Sequence, residues 1–115
     1  MQYGSNLHIL WLNDNPITAE QMVFMYAIAA LQRGYWANVH IIVWGATIKL
    51  LCENTAMQSL VQRFLEEGGQ VSACKRCAEN LNVVDKLETL QGVKIYYVGE
   101  RFSEILTGTD KLITL

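Results

Sequence analysis

Two uninterrupted apolar runs limit this chain to a small set of folds. The runs are residues 7–12 and 39–44, and neither alternates between apolar and polar positions. A strand that is apolar at every position is buried on both faces, as in a parallel sheet covered by helices on both sides. The sequence therefore predicts a parallel sheet at the centre of an α/β protein.

Three further strands and the helices between them predict a β-α-β-α-β-α-β-α-β order. Thr18 and Thr47 are expected to cap helices, and Gly34 is expected to end the first one. This order favours a three-layer α/β/α sandwich with a mostly parallel five-stranded sheet and right-handed crossovers. The later strands are predicted over residues 70–73, 93–98 and 112–115, and the helices over residues 18–33, 47–53, 57–65, 74 onwards and 102–106.

Composition indicates one domain spanning residues 1–115. The chain is 51% hydrophobic and 17% charged with a net charge of −2, which supplies a core and no basic surface for nucleic acid. The longest apolar run, residues 22–31, is half of the ~20 residues that a membrane span needs. No export signal is visible, so we expect a cytoplasmic protein with neither a nucleic-acid nor a membrane partner.

Cys74 is the residue that carries the functional prediction. It follows a predicted strand and opens a predicted helix, so it lies at the carboxyl edge of the sheet, where α/β proteins bind ligands. A thiol at a helix start faces unpaired backbone N–H groups, and Lys75 and Arg76 add positive charge beside it. This setting predicts a lowered thiol pKa and a reactive Cys74, against the alternative of an inert, partly buried cysteine.

Cys77 stands three residues later on the same helical face. It is expected either to resolve a modified Cys74 through a disulfide or simply to pack under the helix. A thioredoxin-like enzyme would need a proline facing the pair, and the only proline is Pro16, in the first loop. No second ligand pair supports zinc, and His8 and His40 are expected near the amino ends of their strands, away from Cys74. We predict no metal and no cofactor.

Several residues after the first two strands are candidates to line a cleft beside Cys74. Asn13 and Asp14 precede a capped helix that could hold an anion. Gly45, Thr47 and Lys49 follow the second strand, although ordinary packing explains them as well.

Three stretches of the sequence, residues 43–51, 71–78 and 92–99, resemble the DsrE/DsrF-like family of small sulfur-relay proteins, which includes the TusD-like subunits. The resemblance extends over nearly the whole chain in length and order. It implies the same five-stranded α/β/α fold and assembly into trimers or hexamers. It also implies that a cysteine matched by Cys74 accepts a persulfide from a donor protein and passes it to an acceptor.

Cys77 departs from the pattern of the sulfur-transferring members and raises a dithiol role. Three hypotheses therefore stand: a cytoplasmic sulfur carrier with a persulfide on Cys74, a non-enzymatic module that binds a small ligand or a protein, and a Cys74/Cys77 dithiol oxidoreductase. The high apolar content of a chain of 115 residues independently favours homo-oligomers.

Overall fold

A computed structural model describes all residues, 1–115, as a five-stranded sheet flanked by helices. Every neighbouring pair of strands is parallel, and the strand order is β4-β3-β2-β1-β5. The predicted three-layer α/β/α sandwich is confirmed. The strands are β1 Gly4–Trp11, β2 Trp36–Val43, β3 Gln70–Cys74, β4 Val93–Tyr96 and β5 Lys111–Thr114. The helices are α1 Pro16–Thr18, α2 Met25–Gln32, α3 Ala46–Glu53, α4 Thr55–Glu66, α5 Lys75–Asn80, α6 Val84–Glu88 and α7 Gly99–Thr107.

The two apolar runs form the central pair of strands, β1 and β2, which are paired from Gly4 with Trp36 to Trp11 with Val43. Each of these strands is buried over its last five residues. Both strands begin three residues before their apolar runs, at Gly4 and Trp36, and these first three residues are partly or largely exposed. The apolar pattern thus marks the buried part of each strand and misses its exposed beginning.

The first helix begins differently from the prediction. Asn15, not Thr18, is the cap, because its side-chain oxygen accepts hydrogen bonds from the backbone N–H groups of Ile17 and Thr18. Pro16 then takes the first helical position, where its missing N–H costs nothing. The helix continues through a π-helical stretch, Ala19–Phe24, into α2.

Glycines with positive φ bound the helices beside β2. Gly34 follows α2 at a φ of 68°, as expected of a helix terminator. Gly45 precedes α3 at a φ of 69° and takes the capping position that the sequence assigned to Thr47. Thr47 is instead fully buried and its hydroxyl donates to the carbonyl of Trp11 at 2.6 Å, so it ties the end of β1 to α3.

Aromatic residues fill the core on one face of the sheet. Trp11 meets Phe24 edge to face at 5.1 Å between ring centroids, and Phe24 meets Phe64 of α4 at 6.5 Å. Elsewhere, Phe102 of α7 packs edge to face against Trp44. None of the helices is long and apolar enough to cross a membrane.

Candidate functional site

Cys74 is the last residue of β3 and the residue immediately before α5. The structure therefore places it at the carboxyl edge of the sheet, in the strand-to-helix junction that the sequence indicates. Its side chain lies beneath the surface, since the residue is only 4% exposed. A reagent in solution meets very little of this sulfur.

Burial raises the pKa of the Cys74 thiol, and the surrounding hydrogen bonds do not reverse that shift. The backbone N–H groups of Cys77 and Arg76 lower the pKa, as a helix start should, but the Cys77 side chain raises it. The net direction is the opposite of the lowering that the helix start and the two cations predict. Desolvation of the charged thiolate outweighs the first turn of a short helix.

Lys75 and Arg76 do not act on Cys74 as expected, because both side chains approach the ring of Tyr97. The Lys75 Nζ atom lies 5.4 Å from the ring centroid and the Arg76 Cζ atom 5.6 Å from it. The Tyr97 hydroxyl in turn donates to a carboxylate oxygen of Glu79 at 2.9 Å. The two cations thus form an exposed cation–π cluster with Tyr97, separate from the buried thiol.

Cys77 is the more accessible of the paired thiols. It is half-buried and lines an open cleft of about 340 Å³ together with Gly45 and Lys49. No disulfide joins it to Cys74. The Cys77 side chain is one of the groups that raise the Cys74 pKa, so the two thiols are neighbours at the start of α5. The structure thus presents one thiol to the cleft and buries the second thiol nearby.

The cleft, called here the Cys77 cleft, also includes Asp14, which the sequence named as part of a possible anion site, and three residues that the sequence did not single out: Ala46, Asn80 and Leu81. It lies where the loops after β1, β2 and β3 meet. Asn80 and Leu81 stand three and four residues after Cys77, so helical spacing from that cysteine could have found them.

Two of the predicted cleft residues, Asn13 and Thr47, do not line the Cys77 cleft. The Asn13 side chain accepts a hydrogen bond from the backbone N–H of Asn15, while its carbonyl accepts one from the Trp11 indole. The sequence predicted an anion site at the start of this helix, but the first N–H groups, those of Ile17 and Thr18, are already bonded to the Asn15 side chain. Local turn and cap hydrogen bonds therefore occupy this segment.

A second polar cluster crosses the middle of the sheet. Asp110, His8, His40, Ser72 and Tyr96 are joined in that order by hydrogen bonds of 2.8, 2.9, 2.8 and 3.1 Å. We call it the sheet-spanning network, since β1 to β4 each contribute a residue and Asp110 precedes β5. Each histidine is the fifth residue of its strand, so the expected position near the amino end is wrong; both side chains are buried and hydrogen-bonded.

The network holds its inner histidine in the neutral form. Burial, the neighbouring His8 and the cations Arg101 and Lys94 lower the pKa of His40 to about 4. The Nδ1 atoms of the two imidazoles are 2.9 Å apart, so one carries a hydrogen and the other accepts it. Asp110 accepts from His8, and its own pKa is lowered by that bond and by Asn6.

No group of three or more histidine, cysteine, aspartate or glutamate side chains is arranged to bind a metal ion. The chemistry available at the carboxyl edge is that of thiols and of the charged groups beside them. A cysteine thiolate attacks sulfur, and a neighbouring thiol can either receive the transferred sulfur or close a disulfide.

Two solved structures are similar to this chain over nearly its whole length. The conserved protein of unknown function BT1422 from Bacteroides thetaiotaomicron is 34% identical, with a TM-score of 0.92, and the match covers 96% of this chain and 94% of that one. The ychN protein from E. coli, which has a DsrE-like fold, is 14% identical, with a TM-score of 0.71 and full coverage of both chains. No protein-family profile and no curated protein sequence matches.

Proposed function

The chain belongs to the same family as BT1422 and has the DsrE-like fold, and from this premise we propose that it is a sulfur carrier that uses Cys74 and Cys77. The observation that supports the proposal is the cysteine pair itself. Cys77 faces an open cleft, and Cys74 lies buried three residues earlier, at the carboxyl edge of the sheet.

In the proposed reaction, sulfur enters at Cys77. The Cys77 thiolate attacks the outer sulfur of a donor persulfide, R–S–SH, a new S–S bond forms on Cys77, and the donor S–S bond breaks. R–S⁻ leaves and takes a proton, so the products are R–SH and Cys77–S–SH with no net oxidation. Cys77 is assigned this step because the raised pKa and burial of Cys74 slow any direct attack by that thiol.

Cys74 then carries the sulfur as its persulfide. Its thiolate attacks the outer sulfur of Cys77–S–SH, the Cys74–S–SH bond forms, and Cys77 leaves as the thiolate. The backbone N–H groups of Arg76 and Cys77 stabilise the anionic form of sulfur at Cys74, and burial shields it from reductants. An acceptor protein would collect the sulfur by the reverse sequence.

Intact-mass measurement tests the proposal. After incubation with a cysteine desulfurase and cysteine, we expect a gain of about 32 Da, the mass of one sulfur atom, in the wild type. Cys52→Ser is the matched control, since Cys52 lies outside the cleft, and it should load like the wild type. Cys77→Ser should load slowly, and Cys74→Ser should load but lose its sulfur faster to a reductant. No adduct in the wild type, or an adduct that persists in the Cys74→Ser/Cys77→Ser double variant, would contradict the proposal.

The presence of both thiols at the start of α5, where Cys77 acts on the pKa of Cys74, also supports a second candidate, a dithiol oxidoreductase. If Cys74 attacks the inner sulfur of Cys77–S–SH, a Cys74–Cys77 disulfide forms and HS⁻ leaves. The mass then falls by about 2 Da relative to the reduced protein instead of rising. A pair that stays reduced throughout a glutathione redox titration would exclude this candidate.

The third hypothesis, a binding module with an inert Cys74, is supported by the raised pKa of that thiol. It predicts that ligands occupy the Cys77 cleft without any sulfur adduct. The mass experiment separates it from the first two candidates, because a ligand that binds reversibly leaves the mass of the denatured chain unchanged.

We propose further that the protein works in the cytoplasm as a homo-oligomer, a trimer or a hexamer. Apolar side chains remain exposed in the segment after β1, among them Leu12 and Ile17. A second copy that covers them would bury apolar surface at low cost. Sedimentation velocity of the native chain measures the assembly, and a single monomeric species at micromolar concentration would contradict it.

A further inference from the structure

The Cys77 cleft holds two opposite charges that form no ion pair with each other. Asp14 comes from the loop after β1, and Lys49 comes from α3. The ion pairs of this chain are His8 with Asp110 and Arg76 with Glu79, so neither cleft charge takes part in one. Unpaired charges of both signs beside an accessible thiol favour a ligand that itself carries both signs.

The side of the cleft formed by α3 is suited to a carboxylate. This helix has eight residues, begins at the cleft with Gly45 and Ala46, and has neither a side-chain cap nor an acidic residue in its first turn. The first backbone N–H groups carry the positive end of the helix dipole, and this adds to the positive charge of Lys49, one turn further along the helix. Asp14 supplies the opposite charge, which suits an ammonium group.

We propose that the cleft binds a zwitterionic α-amino-acid persulfide of the cysteine type, which serves as the sulfur donor; this inference rests on the sulfur-carrying function proposed above. The carboxylate would lie at Lys49 and the start of α3, the ammonium group at Asp14, and the outer sulfur at Cys77. The transfer is R–S–SH + Cys77–SH → R–SH + Cys77–S–SH, in which the sulfane sulfur moves and no electrons are gained or lost.

The alternatives fit the cleft less well. An inorganic polysulfide is an anion that could lie at Lys49 and the start of α3, but it has no cationic group to place against Asp14. A volume of about 340 Å³ is at the lower end of small-molecule pockets and suits an amino acid. The short methylene of a cysteine would pack against the Ala46 and Leu81 side chains that line the same space.

A binding experiment tests the inference without any sulfur transfer. The probe is S-methyl-L-cysteine, whose thioether cannot react, titrated into the 15N-labelled chain and followed by amide chemical shifts. N-acetyl-S-methyl-L-cysteine, which lacks the ammonium charge, is the matched ligand control. Glu100→Gln and Lys111→Gln are the matched protein controls, because both charges lie outside the cleft.

We expect shifts at Asp14, Lys49, Cys77 and Asn80, and a dissociation constant that rises about fivefold in Asp14→Asn and in Lys49→Gln. The acetylated probe should bind about fivefold more weakly to the wild type and should be insensitive to Asp14→Asn. Equal binding of the two probes, shifts elsewhere on the surface, or no shifts at millimolar probe would each overturn the inference.

Failure of the sulfur-carrying function would look different. In that case S-methyl-L-cysteine binds as described, but cysteine persulfide and inorganic polysulfide both leave the mass of the chain unchanged. If instead both donors add sulfur at the same rate and Asp14→Asn slows neither, the sulfur-carrying function stands and the zwitterion inference falls.

Discussion

The Cys77 cleft and the sheet-spanning network are both clusters of polar, titratable side chains, yet they differ in how well these side chains are paired. In the network each member is hydrogen-bonded to the next, and His8, His40 and Ser72 are buried. In the cleft, Asp14 and Lys49 take part in no ion pair and stand beside an accessible sulfur.

This difference distinguishes a structural cluster from a candidate binding site. A buried polar chain that is fully hydrogen-bonded stabilises one arrangement of the sheet. Exposed, unpaired charges contribute little to stability and are free to bind. We therefore expect substitutions in the network to change the free energy of unfolding and substitutions in the cleft to change binding and sulfur chemistry.

The largest effect is expected from His40→Ala. It removes a buried ring, leaves a cavity and deprives both His8 and Ser72 of a hydrogen-bond partner, which together cost about 4 kcal/mol of unfolding free energy. Urea denaturation at neutral pH measures the loss. Lys49→Gln is the comparison variant and should change the same free energy by less than about 0.5 kcal/mol. Equal losses of unfolding free energy in the two variants would show that the network contributes no more to stability than the Cys77 cleft does.

The next effect is a loss of stability in mild acid. His40 has a folded-state pKa of about 4, below its unfolded value of 6.5, so the unfolded chain takes up this proton first as the pH falls. The free energy of unfolding should be constant with respect to this group above pH 6.5 and fall by about 3 kcal/mol by pH 4. Urea titrations across this range measure it.

A Phe64→Leu variant gives the control for the acid experiment, since it weakens the core without changing a titratable group. It should lower the stability at every pH and keep the slope between pH 6.5 and 4. The lowered pKa of Asp110 adds a further loss, but only at more acidic pH, below its ordinary value of 3.8. If the free energy of unfolding does not change between pH 7 and 4, His40 takes up its proton as readily in the folded chain as in the unfolded chain, and the prediction is wrong.

A smaller effect separates the two thiols. Iodoacetamide should modify Cys77 about tenfold faster than Cys74 at neutral pH, because Cys74 is 4% exposed and burial raises its pKa. The pH midpoint for alkylation of Cys74 should lie above that of a free thiol. Timed quenching and peptide mass spectrometry measure both rates in one sample. Faster labelling of Cys74 would mean that sulfur enters directly at that residue.

The smallest effect is expected at the cation–π cluster. Tyr97→Leu removes the ring approached by Lys75 and Arg76 and the hydroxyl that donates to Glu79, all on the surface. We expect a loss of about 0.5 kcal/mol in the free energy of unfolding. Sulfur loading should be unchanged, because the cluster does not line the Cys77 cleft. A large loss of sulfur loading in this variant would show that Lys75 and Arg76 take part in the sulfur reaction after all.

Patterns in neighbouring residues were enough to predict much of this protein. The apolar runs of β1 and β2 predicted a buried parallel sheet, and the alternating order of elements predicted three layers, because burial on both faces leaves few other arrangements. The position of Cys74 between β3 and α5 follows from the same order. Caps were less predictable. Asn15 bonds the first N–H groups of its helix in place of Thr18, and α3 begins after Gly45 without a side-chain cap because the Thr47 hydroxyl donates to the carbonyl of Trp11.

The sequence by itself determined the sheet, the helices around it and the edge at which the cysteines stand, because these depend on periodicity and on the handedness of crossovers. Only the tertiary structure decided which cysteine is exposed to solvent, where the side chains of Lys75 and Arg76 lie, and that the two histidines are hydrogen-bonded to each other. Burial of Cys74, the turn of Lys75 and Arg76 towards Tyr97, and the bond between His8 and His40 join residues on different elements. Desolvation and distance set their chemistry, and both are properties of packing that neighbouring residues in sequence do not encode.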